Sequence, residues 1–302
     1  MGKLHYFLGV EVIPTSTGLF LSQHKYIADL LERTKMIDSK PVITPLSTSV
    51  ILSKDDGSPT TDVTFYRSTI DSLQYLSMTR PDIAFSVNKL AQFMQQPTTT
   101  HLTALKHVLR YLKGTIFHGL LLQKPITSTL TAYSDADWAG NKDDYTSTSA
   151  HLVYFGSNLI SWKSSKQRAV ARSSTEAEYR ALANTAAELC WLKSLLLELG
   201  ISSSSTPSIL CDNLNATYLT QNPVYHTRMK HISIDIHFVR DLVQQGQIKV
   251  QHVITIDQLA DCLTKPLSKT RHDYLRNKIG VSDGTPILRG RVRPVSQVKG
   301  IK

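Results

Sequence analysis

Residues 174–199 carry an uninterrupted helical pattern closed by Gly200, and this stretch constrains the fold more than any other. At ~100° per residue, Leu182, Thr185, Leu189, Leu192 and Leu196 line one stripe. Glu178 heads that stripe, whereas Glu176 points nearly opposite. A helix with one apolar stripe must lie against another layer. A carboxylate on the buried side is costly unless it is paired or holds a cation. Two simpler explanations stand beside this one: the end of the helix is solvated, or Glu178 closes a capping box with Thr175.

Short strands surround the helix. Residues 129–135, 150–155, 159–162 and 168–171 read as strands before it, and 208–211 as a short apolar strand after it. A helix to about 221, a helix over 229–244, a strand over 248–254 and a helix over 257–268, ended by Pro266, complete the pattern. The order βββ–α–β–α–α–β–α implies an α/β domain. The first part of the chain has another texture. Residues 5–13 and 19–23 read as a hairpin and 25–36 as a helix with Ile27, Leu30 and Leu31 on one face. Residues 38–63 read as a polar loop, and 65–96 and 101–113 as helices. Beyond about 280 no periodicity remains, and that stretch is expected to be disordered.

The acidic residues fall at informative places. Asp135 ends the first strand of the α/β part, and Asp212 ends the strand SILC. Strand C-terminal edges are natural ligand positions in such sheets. Taken singly, Asp135 could open a turn, Asp212 could cap the next helix, and Asp261, on the side of its helix away from Leu259, could be solvated. Taken together, two strand-end acids and two helix acids cannot all ionise comfortably without cations. All-oxygen donors suit Mg²⁺ or Mn²⁺, and two such ions would serve an in-line phosphodiester displacement.

Totals narrow the classes. A length of 302 residues and 41% hydrophobic content fit two ordinary domains. The net charge is +10, but residues 265–302 hold ten Lys or Arg against two Asp, so charge alone is weak support for a nucleic-acid partner. Cys190, Cys211 and Cys262 are odd in number, far apart and in apolar surroundings, which favours buried thiols and a reducing, intracellular compartment. No signal-peptide layout opens the chain, and no apolar run approaches ~18 residues, so neither secretion nor a membrane partner is expected.

Seven strings of the α/β part resemble copia-type LTR retrotransposon Pol polyproteins. They are YSDADWAG (133–140), SWKSSKQ (161–167), RSSTEAEYRAL (172–182), AAELCWL (186–192), CDN (211–213), RMKHI (228–232) and QLADCLTKPL (258–267). The four acids lie 43, 34 and 49 residues apart, which is family-like. LHYFLGVEV (4–12), GLFLSQHKYIADLL (18–31), YRSTIDSLQYLSMTRPDIAFSVNKLAQFM (66–94) and HVLRYLKGT (107–115) resemble the segment after the reverse transcriptase palm.

The resemblance implies an RNase H-like fold at 125–268: a mixed five-stranded sheet with flanking helices. A mostly helical reverse-transcriptase thumb and connection remnant would precede it at 1–124, and a basic, disordered tail would follow at 269–302. It further implies an RNase H activity on the RNA strand of RNA–DNA hybrids, with Asp135, Glu178, Asp212 and Asp261 as catalytic ligands of two Mg²⁺ or Mn²⁺ ions. Asp137 is the competitor for Asp135. Other Pol segments would be partners.

Asn213, Lys166, Arg168, Arg172, Arg228, Lys230 and His231 are the candidate contacts to nucleic acid, with Lys163 beside them. Trp138 and Trp162 could stack on nucleotides, though core positions are favoured. Two departures matter. The aromatic-flanked Asp pair of a polymerase hairpin is absent, since Asp55–Asp56 and Asp143–Asp144 lie in polar loops, so no polymerase activity is expected. No His lies between Val253 and Asp261, where many cellular RNases H have one, and His252 is expected to be packed or paired within its strand. The competing expectation is an inert retrotransposon remnant that at most binds nucleic acid.

Overall fold

The computed structural model describes residues 4–124, 126–203, 205–221 and 232–288. The chain opens on a hairpin. Tyr6–Phe7 (β1) and Val10–Pro14 (β2) are separated by Gly9, whose φ of +70° breaks the strand expected over 5–13. Gly18–Ser22 (β3) returns antiparallel to β2, across a turn in which the Thr15 hydroxyl accepts from Gly18 N. Helix His24–Arg33 (α1) follows and buries Ile27, Leu30 and Leu31.

The helix expected over 65–96 is broken. Val63–Tyr75 (α2) starts from an Asp62 cap that accepts from Phe65 N, and Ala84–Ala91 (α3) begins only after Pro81. Proline lacks the amide a continuing helix needs, and Arg80 before it leaves helical geometry (φ −127°, ψ 67°). Thr99–Gly114 (α4) is opened by a capping box between Thr98 and His101. At this break Arg80 is fully buried. Its guanidinium donates to Asp82 Oδ1 (2.9 Å) and Oδ2 (2.8 Å), to Thr115 O (3.0 Å) and to Thr115 Oγ1 (2.8 Å), while the Tyr111 hydroxyl donates to Asp82 Oδ2 (2.6 Å).

His118–Gln123 (β4) then pairs with β3. The second sheet is built from Leu130–Asp137 (β5), Thr148–Phe155 (β6), Asn158–Lys166 (β7), Ser208–Cys211 (β8) and Lys249–His252 (β9), in the order β7-β6-β5-β8-β9. β7, β6 and β5 form an antiparallel meander, and β5, β8 and β9 run parallel. The parallel step from the meander to β8 requires a crossover, supplied by helix Ser174–Glu198 (α5). Leu214–Gln221 (α6) and Ser233–Gln244 (α7) join α5 on one sheet face, where Tyr179, Leu182, Leu189, Ile209, Ile236 and Val239 are buried together.

The opposite face is covered from beyond β9. The helix expected over 257–268 is instead two 3-10 turns, Thr255–Asp257 and Leu259–Leu263. No strand forms at 168–171 among the described residues. Residues 269–288, expected within a disordered basic tail, form Lys269–Lys278 (α8), Val281–Asp283 (β10) and Thr285–Leu288 (α9). β10 pairs antiparallel with β4, giving a first sheet ordered β1-β2-β3-β4-β10. The pattern was hidden because only one residue in three of β10 is buried, and its partner lies far upstream. Leu263, Leu275, Ile279 and Val281 pack with Leu152, Tyr154 and Leu159 on the second sheet.

Removing one member of the buried Arg80–Asp82 pair leaves an uncompensated charge in the interior. Arg80→Met is expected to lower the unfolding free energy by about 3–5 kcal/mol. Urea denaturation should show this as a lower midpoint, and a shift too small to measure would mean that the network holds nothing together.

Candidate metal centre

The parallel register places Tyr133 opposite Leu210. Continuing it by two residues sets Asp135 beside Asp212 at the C-terminal edge of both strands. Asp135 is 3% exposed. The strand does not end there, as expected, but runs on to Asp137. Asp212 does not cap α6; that role falls to Asn213, whose Oδ1 accepts from Ala216 N (2.9 Å). Asn213 was expected to contact nucleic acid, and this oxygen is committed to the helix.

Glu178 reaches the same edge from α5. It takes no part in capping, because Ser173 Oγ accepts from Glu176 N and Glu176 Oε2 accepts from Arg172 N. The buried position read from the stripe is confirmed by 6% exposure. Its carboxyl accepts from the Ala136 backbone and shares a hydrogen bond with Asp135. Oxygens of Glu178 and Asp212 lie with Cys211 Sγ inside a 4.8 Å group, and Sγ sits 3.8 Å from Glu178 Oε2.

Burial and mutual repulsion dominate the electrostatics. Glu178 is pushed well above the ordinary carboxylate range, first by burial and then by Asp135 and Asp212. Asp135 is pushed up to about 6 by burial, with Asp261 and Asp212 adding and Lys265 and Thr264 opposing. Burial also raises the Cys211 thiol, with Glu178 adding to it. The expected donors Asp135, Glu178, Asp212 and Asp261 are carboxylate oxygens, which fit a hard divalent cation.

Asp261 arrives on the turn Leu259–Leu263 rather than on a helix. Gln258 pins that turn to β5: its Nε2 donates to Ser134 O (2.9 Å) and its Oε1 accepts from Ala260 N (3.2 Å). Thr264 Oγ1 donates to Asp135 Oδ2 (2.5 Å) and lies 3.3 Å from Asp261 O. Arg271 donates to Ile256 O (2.5 Å), Thr255 O (3.0 Å) and Asp261 Oδ2 (3.1 Å). Lys265 Nζ lies 2.6 Å from Asp261 Oδ1. Gln258, Thr264, Lys265 and Arg271 were not singled out in the sequence. Three of them lie in the string QLADCLTKPL, but nothing in its spacing shows which side chains fold back. Asp137, the competitor, is half-buried and faces Lys265, Lys89 and Lys142.

The basic candidates divide. Arg168, Arg172 and Lys163 are exposed, and Lys166 pairs with Asp144 at 2.6 Å. Arg228, Lys230 and His231 lie outside the described residues. Trp162 packs into the core as favoured, whereas Trp138 is 48% exposed with its indole N–H donating to Ala171 O (2.9 Å). His252 is not packed but exposed, at the end of β9 opposite Cys211, because the sheet edge leaves its outer side open.

An antiparallel meander extended by two parallel strands, with acids on the strand ends and on the crossover helix, defines an RNase H-like α/β domain. No family model matches the chain. Curated relatives do. It is 58% identical over 284 residues to the retrovirus-related Pol polyprotein from transposon RE1 of Arabidopsis thaliana, covering 94% of this chain and 19% of that protein. It is 55% identical over 290 residues to that from transposon RE2 of the same plant, covering 96% and 20%. Among solved structures, the N-terminal RNase H domain of a Mycobacterium tuberculosis protein is similar over 50% of this chain and 98% of its own, at 15% identity and a TM-score of 0.33. At that score the fold is read from the strand order instead. The chain belongs to the retrovirus-related Pol polyproteins of copia-type transposons and spans about a fifth of the length of the relatives it matches. Among the described residues no helix is long and apolar enough to cross a membrane.

A carboxylate raised from 3.8 to about 6 stabilises the fold fully only below its unfolded value, and that stability is lost as pH rises through about 6. With chelator present, the chain should therefore melt lower at pH 7.5 than at pH 5, with Asp135 contributing about 1.4 kcal/mol of the difference. Asp135→Asn keeps the acceptor for Thr264, should flatten this dependence, and should melt a few degrees higher at pH 7.5. An Asn variant that melts lower there would show that Asp135 is not under repulsion.

Proposed function

We propose that this chain carries the ribonuclease H activity of a copia-type Pol, cutting the RNA strand of RNA–DNA hybrids with two divalent cations. The observation that carries the reading is the crowding of Asp135, Glu178 and Asp212 at one sheet edge, with Asp261 tied to Asp135 through Thr264. Structure alone gives no reason to hold mutually repelling acids there. Their repulsion is relieved by cations.

Asp135, Glu178, Asp212 and Asp261 would hold Mg²⁺ or Mn²⁺. Bound there, such ions supply Lewis-acid stabilisation of the phosphodiester and a more acidic attacking water. The chain's own residues do the rest. The β5–β8 pairing and α5 fix the carboxylates on rigid elements rather than loops. Gln258, Thr264 and Arg271 hold Asp261 and Asp135 in place from behind.

Lys166 sits opposite Thr148, itself opposite Asp137, so β7 brings basic side chains to the same end of the sheet. Exposed Arg168 and Arg172 continue from there to the start of α5. Phosphate contacts from these groups would position a duplex, and the 2′-hydroxyl marks the strand to be cut. Arg228, Lys230 and His231 are further candidates for the same role. We assign no polymerisation to this chain. Asp143 accepts from Ser53 Oγ and Lys54 N, and Asp144 from Thr146 N and Oγ1, so both serve loop structure.

With Mg²⁺, the purified chain should cleave the RNA of a hybrid and leave duplex DNA intact. Asp212→Asn should cost about 10²–10³-fold, the scale of losing one charge-stabilising group in an active site. Circular dichroism should show the variant folded. Cleavage by this variant at the unaltered rate would reject the site, and a folded chain inert in Mg²⁺ and Mn²⁺ would favour a remnant that only binds.

A further inference from the structure

The Lys265 ammonium lies in direct contact with the carboxylate group. Its Nζ is 2.6 Å from Asp261 Oδ1, an oxygen that no donor meets in hydrogen-bond geometry. Asp135 and Asp137 on β5 face the same ammonium. Its stem starts from a closed turn, since Thr264 N and Lys265 N both donate to Asp261 O (3.3 and 3.4 Å). The base of the side chain is thereby fixed, and the four-carbon stem beyond it carries flexible torsions.

Two cations of the chain thus touch Asp261, and they are built differently. Arg271 is held by the carbonyls of Thr255, Ile256 and Gln258, so it is part of the framework. Lys265 has Asp261 as its ion-pair partner, and its side chain is 38% exposed against 6% for Asp261. It approaches the cluster from solvent and can withdraw without disturbing the core. An ammonium is also a compact charge on a flexible stem, suited to being displaced.

We propose that Lys265 is a tethered counter-ion of the carboxylate cluster, filling cationic space there until a divalent cation displaces it. The idea rests on the reading of these acids as a cation site. It adds that the chain sets its own threshold for loading. An ammonium on Asp261 Oδ1 and a divalent ion on the same oxygen exclude one another by charge and by contact.

The test uses the full chain stripped of metal by chelator, with Mn²⁺ titrated calorimetrically into the unaltered protein and into Lys265→Met, Lys265→Gln and Lys265→Arg. Loss of the ammonium should tighten Mn²⁺ binding about tenfold, a modest part of what a unit charge within ~4 Å commands near a protein surface. The Met and Gln variants should also melt lower than the unaltered chain without metal and match it at saturating Mn²⁺. The Arg variant should stay near the unaltered affinity. Equal or weaker binding by both Met and Gln variants would overturn the proposal and make Lys265 a residue that only positions Asp261. Absence of Mn²⁺ binding in every protein, the unaltered one included, would overturn the cation-site reading itself and this inference with it. The Gln variant, still polar, guards against misfolding of the Met variant.

Discussion

Repulsion among buried carboxylates is the constraint around which this structure is arranged. The parallel pairing of β5 with β8 leaves Asp135 and Asp212 no choice but to end side by side, and α5 delivers Glu178 to the same spot. Asp135 and Glu178 would ionise more easily in water. The favourable terms that hold them lie elsewhere, in the two apolar layers on either face of the sheet. The fold is therefore strained electrostatically at one edge and sustained by packing everywhere behind it.

The contacts that manage this strain are graded. Thr264 gives Asp135 a neutral donor. Arg271 gives Asp261 a fixed charge, locked by backbone carbonyls. Lys265 gives it a solvent-exposed one. Glu178 is pushed up by burial and by Asp135 and Asp212, and the Ala136 backbone donor opposes that.

Much of this was legible in the sequence, for physical reasons. The 3.6-residue stripe of α5 required a layer beneath it and put Glu178 on the inside, and the apolar run SILC could only be a buried strand with Asp212 at its edge. Readings failed where long-range contact decides. The turn around Asp261 has apolar residues spaced as in a helix, but its shape is set by Gln258 reaching Ser134, 124 residues away in sequence. Likewise β10 is a strand only because β4 offers it a partner. The break at Pro81 was visible in principle, yet the apolar pattern continues through it because α2 and α3 share one core with α4.

The return of β10 to β4 bears on how the RNase H-like unit could be moved. The second sheet is spliced into the first: the chain leaves after β4, builds the α/β layers, and comes back to close the sheet it left. On the way back, α8 and β10 lend Leu275, Ile279 and Val281 to the rear of the second sheet. A segment cut at 268 would lose that lining and expose Leu152 and Leu159. Recombination that exchanges this α/β module between elements would have to carry the returning helix and strand along, together with a β3–β4 ledge able to receive them.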